Sequence, residues 1–297
     1  MRCGIAKPRV GLTATLCFAL LLALGLSSPA SADGLIYRVS RADLASPSYL
    51  IGTMHSEDPR VTALLPQLLP LIEEVEVVAV ELLPDAVTML AVGAATLLPQ
   101  DQSLRGLIGP EQFGALTDAA AALGLDSEVL NRLKPWAAAA VMGMPAAETG
   151  RFLDMEIYLA ALERQRRVVG LESAAEQLAV FEGMPTGLQL TLLDEMIRNA
   201  EQLPGLLEDL TSAYLRGDLA VLDEVARAQY AQMSPAVIRW FDEALIDERN
   251  ARMLARISEV LQANAVLIAV GAMHLGGESG LVAGLRGRGF RVERWRG

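Results

Sequence analysis

The chain has 297 residues, of which 52% are hydrophobic and 21% are charged, so it can build a substantial core in one or two domains. Its formal net charge is −11, and such a surface repels phosphate backbones and anionic lipid, so nucleic-acid binding is not expected. Aromatic residues make up only 5% of the chain, whereas alanine and leucine abound, which favours a helix-rich fold.

The first 32 residues have the pattern of a secretory signal peptide. Three basic residues precede an apolar run over residues 10–26, and Ala30-Ser31-Ala32 closes the segment with small side chains. This order predicts cleavage before Asp33 and export to the periplasm or the medium. Because the apolar run is slightly long for a signal, an uncleaved membrane anchor is the alternative.

Removal of this segment changes the chemistry of the mature chain. Both cysteines, Cys3 and Cys17, lie within it, so the mature chain would have neither a disulfide nor a thiolate ligand for a metal. Three basic residues and no acidic one are also lost, which changes the formal charge from −11 to −14. The mature fold must therefore rely on its apolar core.

After residue 33, short apolar strands alternate with long helical stretches. The predicted strands cover residues 35–39, 48–51, 75–82, 167–172, 265–271 and 290–295. The predicted helical stretches cover residues 58–72, 85–144, 151–166, 173–262 and 280–288. This alternation predicts an α/β fold with a central, mainly parallel sheet flanked by helices.

The helical stretch over residues 85–144 resembles a large insertion or cap. We predict a signal peptide over residues 1–32 and a single domain over residues 33–297, with the insertion at about residues 85–150. The insertion could serve as a lid, a dimer surface or a membrane-facing patch. No second transmembrane span is predicted, because the apolar run over residues 82–98 carries Pro84 and Asp85.

Two predicted strands end in the same four-residue pattern, Gly52-Thr-Met-His55 and Gly271-Ala-Met-His274, which contain the only histidines of the chain. Ligands of open α/β sheets bind beyond the carboxyl ends of the strands, and glycine allows the sharp turn needed there. A single histidine in such a place is more often a hydrogen-bonded core residue. Two occurrences of one pattern predict a shared site.

Two acidic residues and one arginine are candidates for the same site. Glu81 and Glu172 each end a predicted apolar strand, while Arg249 and Asn250 interrupt the apolar face of a predicted helix. A buried arginine must be paired or lie at a polar site. Arg249 could pair with either glutamate or bind a substrate carboxylate or oxyanion, and a purely structural ion pair is an equal alternative.

These motifs together resemble the TraB/GumN family, which is related to the Tiki proteins. The resemblance rests on both Gly-x-x-His motifs, on the Val-Glu-Leu run at Glu81, and on residues 170–177 and 247–250, all in the family's order. It extends from about residue 35 to the C-terminus. Asp154 falls where the family tends to carry an acid.

The resemblance implies a metal-dependent hydrolase of peptidase type, acting on a peptide or a small molecule. His55, His274 and Glu81 would hold a divalent metal ion, for which manganese, cobalt and zinc are candidates. Glu81, Glu172 and Arg249 would take part in catalysis or support it. Imidazoles and a carboxylate can hold a first-row metal that activates water.

Two alternatives stay open at this point. A metal-independent hydrolase, similar to the erythromycin esterases, would use a histidine as general base. A non-catalytic protein would bind a metal or haem through the same histidines. The sequence also leaves the oligomeric state open.

Overall fold

A six-stranded mixed sheet forms the centre of the computed structural model, which describes residues 35–44, 46–121, 124–144 and 149–296, without the side chains of residues 229 and 230. The predicted signal peptide lies outside the described residues, and the domain boundaries stay predictions. In the part of the chain that the structure describes, no helix is long and apolar enough to cross a membrane.

The sheet has the strand order β4-β3-β5-β2-β1-β6. Strands β4, β3, β5 and β2 are paired in parallel, whereas β1 is antiparallel to both of its neighbours, β2 and β6. The mainly parallel sheet and its helical flanks confirm the predicted α/β class. The strands are β1 (Leu35–Ser40), β2 (Ser48–Thr53), β3 (Val77–Val80), β4 (Arg167–Gly170), β5 (Val266–Gly271) and β6 (Arg291–Arg294).

The central strands are buried on both faces, as their continuous apolar sequences predict. Every residue of β2 and β3 is buried. In β5 every residue is buried except the last one, Gly271, which is partly exposed. Helices from distant parts of the chain cover the sheet. Met253 and Ile257 of one of them, at helical spacing, pack into the same core.

The helices of the described part are mostly short, because proline and glycine interrupt the helical stretches. The described part also contains two 3₁₀ turns, Ala200–Gln202 and Ala272–His274, and one π-helical segment, Phe241–Asp247. The α-helices are α1 (Pro59–Thr62), α2 (Leu65–Glu74), α3 (Ala86–Ala95), α4 (Leu104–Ile108), α5 (Pro110–Ala121), α6 (Ser127–Arg132), α7 (Pro135–Met142), α8 (Leu153–Glu163), α9 (Ala174–Glu182), α10 (Thr186–Arg198), α11 (Leu203–Leu215), α12 (Leu219–Tyr230), α13 (Pro235–Trp240), α14 (Glu248–Ala263) and α15 (Leu281–Gly287).

A second apolar cluster lies within the helices rather than against the sheet. Leu104, Leu116 and Leu130 of α4–α6 are fully buried in it, together with Trp136 of α7. Leu193 of α10 belongs to the same cluster. The helical stretch over residues 85–144 is therefore not packed by itself, because it shares its core with a helix that follows β4.

Candidate functional site

Four parallel strands bring their following residues to one edge of the sheet. In the pairing register, Thr53 of β2 lies beside Gly271 of β5, and Val80 of β3 lies beside Ala269 of β5 and Gly170 of β4. The candidate side chains follow these positions by one to three residues. The structure thus places His55, Glu81, Glu172 and His274 after the carboxyl ends of neighbouring strands.

His274 is a buried imidazole whose Nδ1 is hydrogen-bonded within the protein and whose Nε2 faces the neighbouring Glu81. Its Nδ1 lies 2.8 Å from Oδ1 of Asn250, whose own amide group donates to the carbonyl of Ser279 at 3.1 Å. Because the amide of Asn250 is oriented by that bond, Nδ1 of His274 carries the proton and Nε2 keeps its lone pair. Burial lowers the pKa of His274, which favours the neutral ring.

Glu81 is held by the neighbouring strand and by α14. Its Oε1 accepts the backbone N–H of Gly271 at 2.5 Å, and its Oε2 accepts from Nη2 of Arg249 at 2.6 Å. The same Oε1 lies 3.8 Å from Nε2 of His274. A Cβ at position 271 would lie only 3.1 Å from Oε1 of Glu81, so glycine makes this close approach possible.

Arg249 bridges Glu81 to Glu172. Its Nε and Nη2 donate to Oε2 of Glu172 at 2.9 and 2.7 Å, and Arg252 approaches the other oxygen at 3.4 Å. Burial disfavours the charged guanidinium, but the two carboxylates outweigh this effect and raise the pKa of Arg249. The side chain of Glu172 has no exposed surface, so it contacts Arg249 and not the solvent.

His55 lies with a different acid from the one that approaches His274. Its Nδ1 is 3.8 Å from Oδ2 of Asp154 at the start of α8, and its ring stacks on Phe152 with centroids 3.7 Å apart. The hydroxyl of Thr53 donates to the other oxygen of Asp154. Within the described residues, Oδ2 of Asp154 is buried without a hydrogen-bond partner, which leaves it free to accept from His55 or to bind a cation.

Sequence reasoning placed Asp154 near the site only through the resemblance, and it missed Thr53 and Phe152. Thr53 lies inside the first Gly-x-x-His motif, so its position could have marked it. Phe152 and Asp154 carry no such signal, because they begin a helix about a hundred residues further along the chain.

A cavity of about 550 Å³ connects the two histidines. His55, Glu81, Arg249 and His274 line its end at the sheet, while most of the remaining wall is apolar and comes from helices α7, α10, α11 and α13 and the π-helical segment. Glu172 does not line this cavity. Cavities of this size with a few convergent polar groups are typical of small-ligand sites.

The donor atoms fit part of a metal site. The 3.8 Å between Nε2 of His274 and Oε1 of Glu81 is compatible with two ligands of one first-row ion, each bond being about 2.0–2.2 Å long. Across the described ranges, however, no three histidine, cysteine or acidic side chains converge into a metal-binding group. His55 lines the same cavity but is not preassembled with the other two.

The fold and the site together define an α/β protein with a partly apolar cavity at the carboxyl edge of a mainly parallel sheet. The chain belongs to the TraB/PrgY/gumN family, whose model matches residues 35–294. The predicted family is thus confirmed.

Two relatives are similar to most of the chain. Metalloprotease TIKI1 of Danio rerio is 27% identical over 339 residues, which cover 94% of this chain and 69% of the relative. Uncharacterized protein YbaP of Shigella flexneri is 24% identical over 249 residues, which cover 80% of this chain and 88% of the relative. No solved structure matches the chain.

Proposed function

We propose that this protein is an exported, metal-dependent hydrolase that cleaves peptide bonds at the edge of the sheet where His274 meets Glu81. The observation that carries the proposal is the approach of Nε2 of His274 to Oε1 of Glu81, at 3.8 Å on the cavity wall. A relative whose alignment covers 94% of this chain is named a metalloprotease, which supports a hydrolytic role. The signal-like segment over residues 1–32 supports export.

His274, Glu81 and His55 are the proposed metal ligands. Nε2 of His274 has the free lone pair that a metal requires, and Asn250 holds the ring in that tautomer. Asp154, next to Nδ1 of His55, is suited to orient the second ring. A divalent cation, with manganese, cobalt and zinc as candidates, would polarise the scissile carbonyl and activate water.

The remaining polar residues have distinct proposed roles. Arg249 lines the cavity, so its guanidinium can stabilise negative charge on the substrate oxygen while its hydrogen bond holds the Glu81 carboxylate in place. Glu172 is a positioning residue, because its buried carboxylate orients Arg249 from behind.

A metal-independent hydrolase is the second candidate. It is favoured by the neutral, buried His274, whose unprotonated Nε2 could remove a proton from water as a general base. The two candidates differ in whether a chelator removes activity.

The proposal is tested with the mature chain, residues 33–297, and a mixture of internally quenched peptides in Mn²⁺, Co²⁺ or Zn²⁺. Glu81→Gln keeps the shape of the side chain but removes its charge, so we expect turnover to fall at least about 100-fold. The matched control, Glu163→Gln, changes a side chain that is 83% exposed and should keep full activity.

The chelator EDTA should abolish cleavage, and an excess of the metal should restore it. Cleavage that persists in EDTA would favour the metal-independent candidate. Equal turnover by Glu81→Gln and Glu163→Gln, or no cleavage by the wild-type chain in any of the metals, would contradict the proposal.

A further inference from the structure

The cavity extends from the polar edge of the sheet into the helices, and its chemistry changes along the way. Glu81, Arg249 and the two histidines lie together at the sheet. Among the described residues of the wall, no other side chain is charged, and Asn199 is the one amide. A charged group that entered the helical part would lose its water without gaining a partner, whereas an apolar group would be stabilised there.

The helical part of the wall is adaptable as well as apolar. Five of the eleven methionines of the chain line the cavity. Met144, Met196 and Met233 belong to its helical part, whereas Met54 and Met273 each precede a histidine at the sheet end. Methionine side chains are flexible and polarizable, and they are common where a surface accommodates apolar groups of different shapes. This wall therefore favours a class of apolar side chains over a single one.

Three aromatic rings also line the helical part of the cavity, and they pack against one another. Phe181 stacks on Trp136 with ring centroids 4.9 Å apart and contacts Trp240 at 5.7 Å. The π-helical segment that follows Trp240 contributes Phe241 and Leu245 to the same wall. Segments of π-helix are frequent at functional sites.

We propose that the substrates are peptides with large apolar side chains beside the cleaved bond, and that these side chains occupy the helical part of the cavity. The inference rests on the proposed function, which places the cleaved bond at Glu81 and His274. A volume of about 550 Å³ lies in the range that encloses a drug-sized ligand, so more than one side chain can enter. The proposed peptidase activity favours a peptide over a lipid acyl chain.

Binding is measured in EDTA, so that affinity is determined apart from metal-dependent turnover. The probes are acetyl-Gly-Leu-Phe-Gly-amide, the charged counterpart acetyl-Gly-Asp-Lys-Gly-amide, and dodecanoyl-glycine amide. Tryptophan fluorescence provides the signal, because Trp136 and Trp240 line the cavity. We expect the apolar peptide to bind the wild-type chain at least about tenfold more tightly than the charged peptide.

Two variants locate the binding. Ala140→Phe fills the cavity from a half-buried position on α7, and Ala255→Phe makes the same change on the exposed face of α14, away from the cavity. Met144→Glu adds a charge at a wall position that is 41% exposed, where a folding defect is not expected. Ala140→Phe and Met144→Glu should each weaken binding of the apolar peptide about tenfold, and Ala255→Phe should not.

Equal affinity for the two peptides, or undiminished binding by Met144→Glu, would overturn the inference. Tighter binding of dodecanoyl-glycine amide than of the apolar peptide would also overturn it and assign the cavity to an acyl chain. Selective binding of the apolar peptide without cleavage in any metal would uphold the cavity assignment while the proposed hydrolase activity fails.

Discussion

At the scale of single residues, Arg249 is the side chain on which the site depends. It is buried, and it joins a carboxylate on the cavity wall, Glu81, to one without solvent contact, Glu172. Removing one partner of a buried ion pair leaves an uncompensated charge, whereas replacing both by apolar groups is often tolerated. Substitutions in the ion pair between Arg249 and Glu172 should therefore change the stability of the fold as well as the proposed site.

We predict that Arg249→Met lowers the free energy of unfolding by roughly 3–5 kcal/mol, because Glu172 then stays buried without its main partner. The double variant Arg249→Met/Glu172→Leu should recover most of this loss. Urea unfolding at pH 7 measures both. Arg227→Met is the matched control, since Arg227 forms an exposed pair with Asp223 that is worth at most about 1 kcal/mol. A cost for Arg249→Met no larger than that of the control would contradict the buried-pair interpretation.

At the scale of elements, α14 is fixed to the turn that follows β4. Ser173 and Glu176 form a capping box at the start of α9, and Arg256 of α14 donates to Glu176 at 2.6 and 3.0 Å and to the carbonyl of Leu171 at 2.5 Å. The turn between β4 and α9 carries Glu172, and α14 carries Arg249. This connection holds the two elements in the register that the ion pair needs.

The ion pair with Arg256 and the capping bonds lower the pKa of Glu176 to about 2. Because this is below its ordinary value of 4.5, the stabilisation is complete above about pH 4.5 and is lost as the pH falls through about 2. Glu176→Gln keeps the capping geometry but loses the charge, so it should be less stable than wild type by roughly 1 kcal/mol at pH 7.

Unfolding measurements between pH 7 and pH 2 test this prediction. The difference between Glu176→Gln and wild type should shrink below pH 4.5 and disappear near pH 2. The exposed substitution Glu163→Gln should show no such trend. A difference that stays constant with pH would mean that the charge of Glu176 does not carry the effect.

Part of the site could be predicted from the sequence, because strand ends are visible in it. His274, Glu81 and Glu172 each follow an apolar run, and parallel strands bring such positions together. The pairing of His55 with Asp154 was not predictable in this way, since Asp154 begins a helix far along the chain and no periodic pattern links the two.

At the scale of the whole molecule, the cavity lies where the sheet meets the helices. The alternation of strands and helices predicted the α/β class, and the structure confirms it. The grouping of α4–α7 with α10 was not predictable, because helical periodicity shows which face of a helix is buried but not which helix covers it. The wall of the cavity depends on that grouping, so the apolar character of the wall could not be predicted from the sequence.

The most direct test of the central claim is a calorimetric titration of the metal-free mature chain with Mn²⁺. We predict one site per chain in the wild type, loss of binding in His274→Ala and Glu81→Gln, and weaker binding in His55→Ala. Asn250→Ala should lower the affinity about 10- to 100-fold, because the imidazole loses the bond that orients it. A wild-type chain that binds no Mn²⁺, Co²⁺ or Zn²⁺, or a His274→Ala variant that binds Mn²⁺ with undiminished affinity, would contradict a metal site at the edge of this sheet.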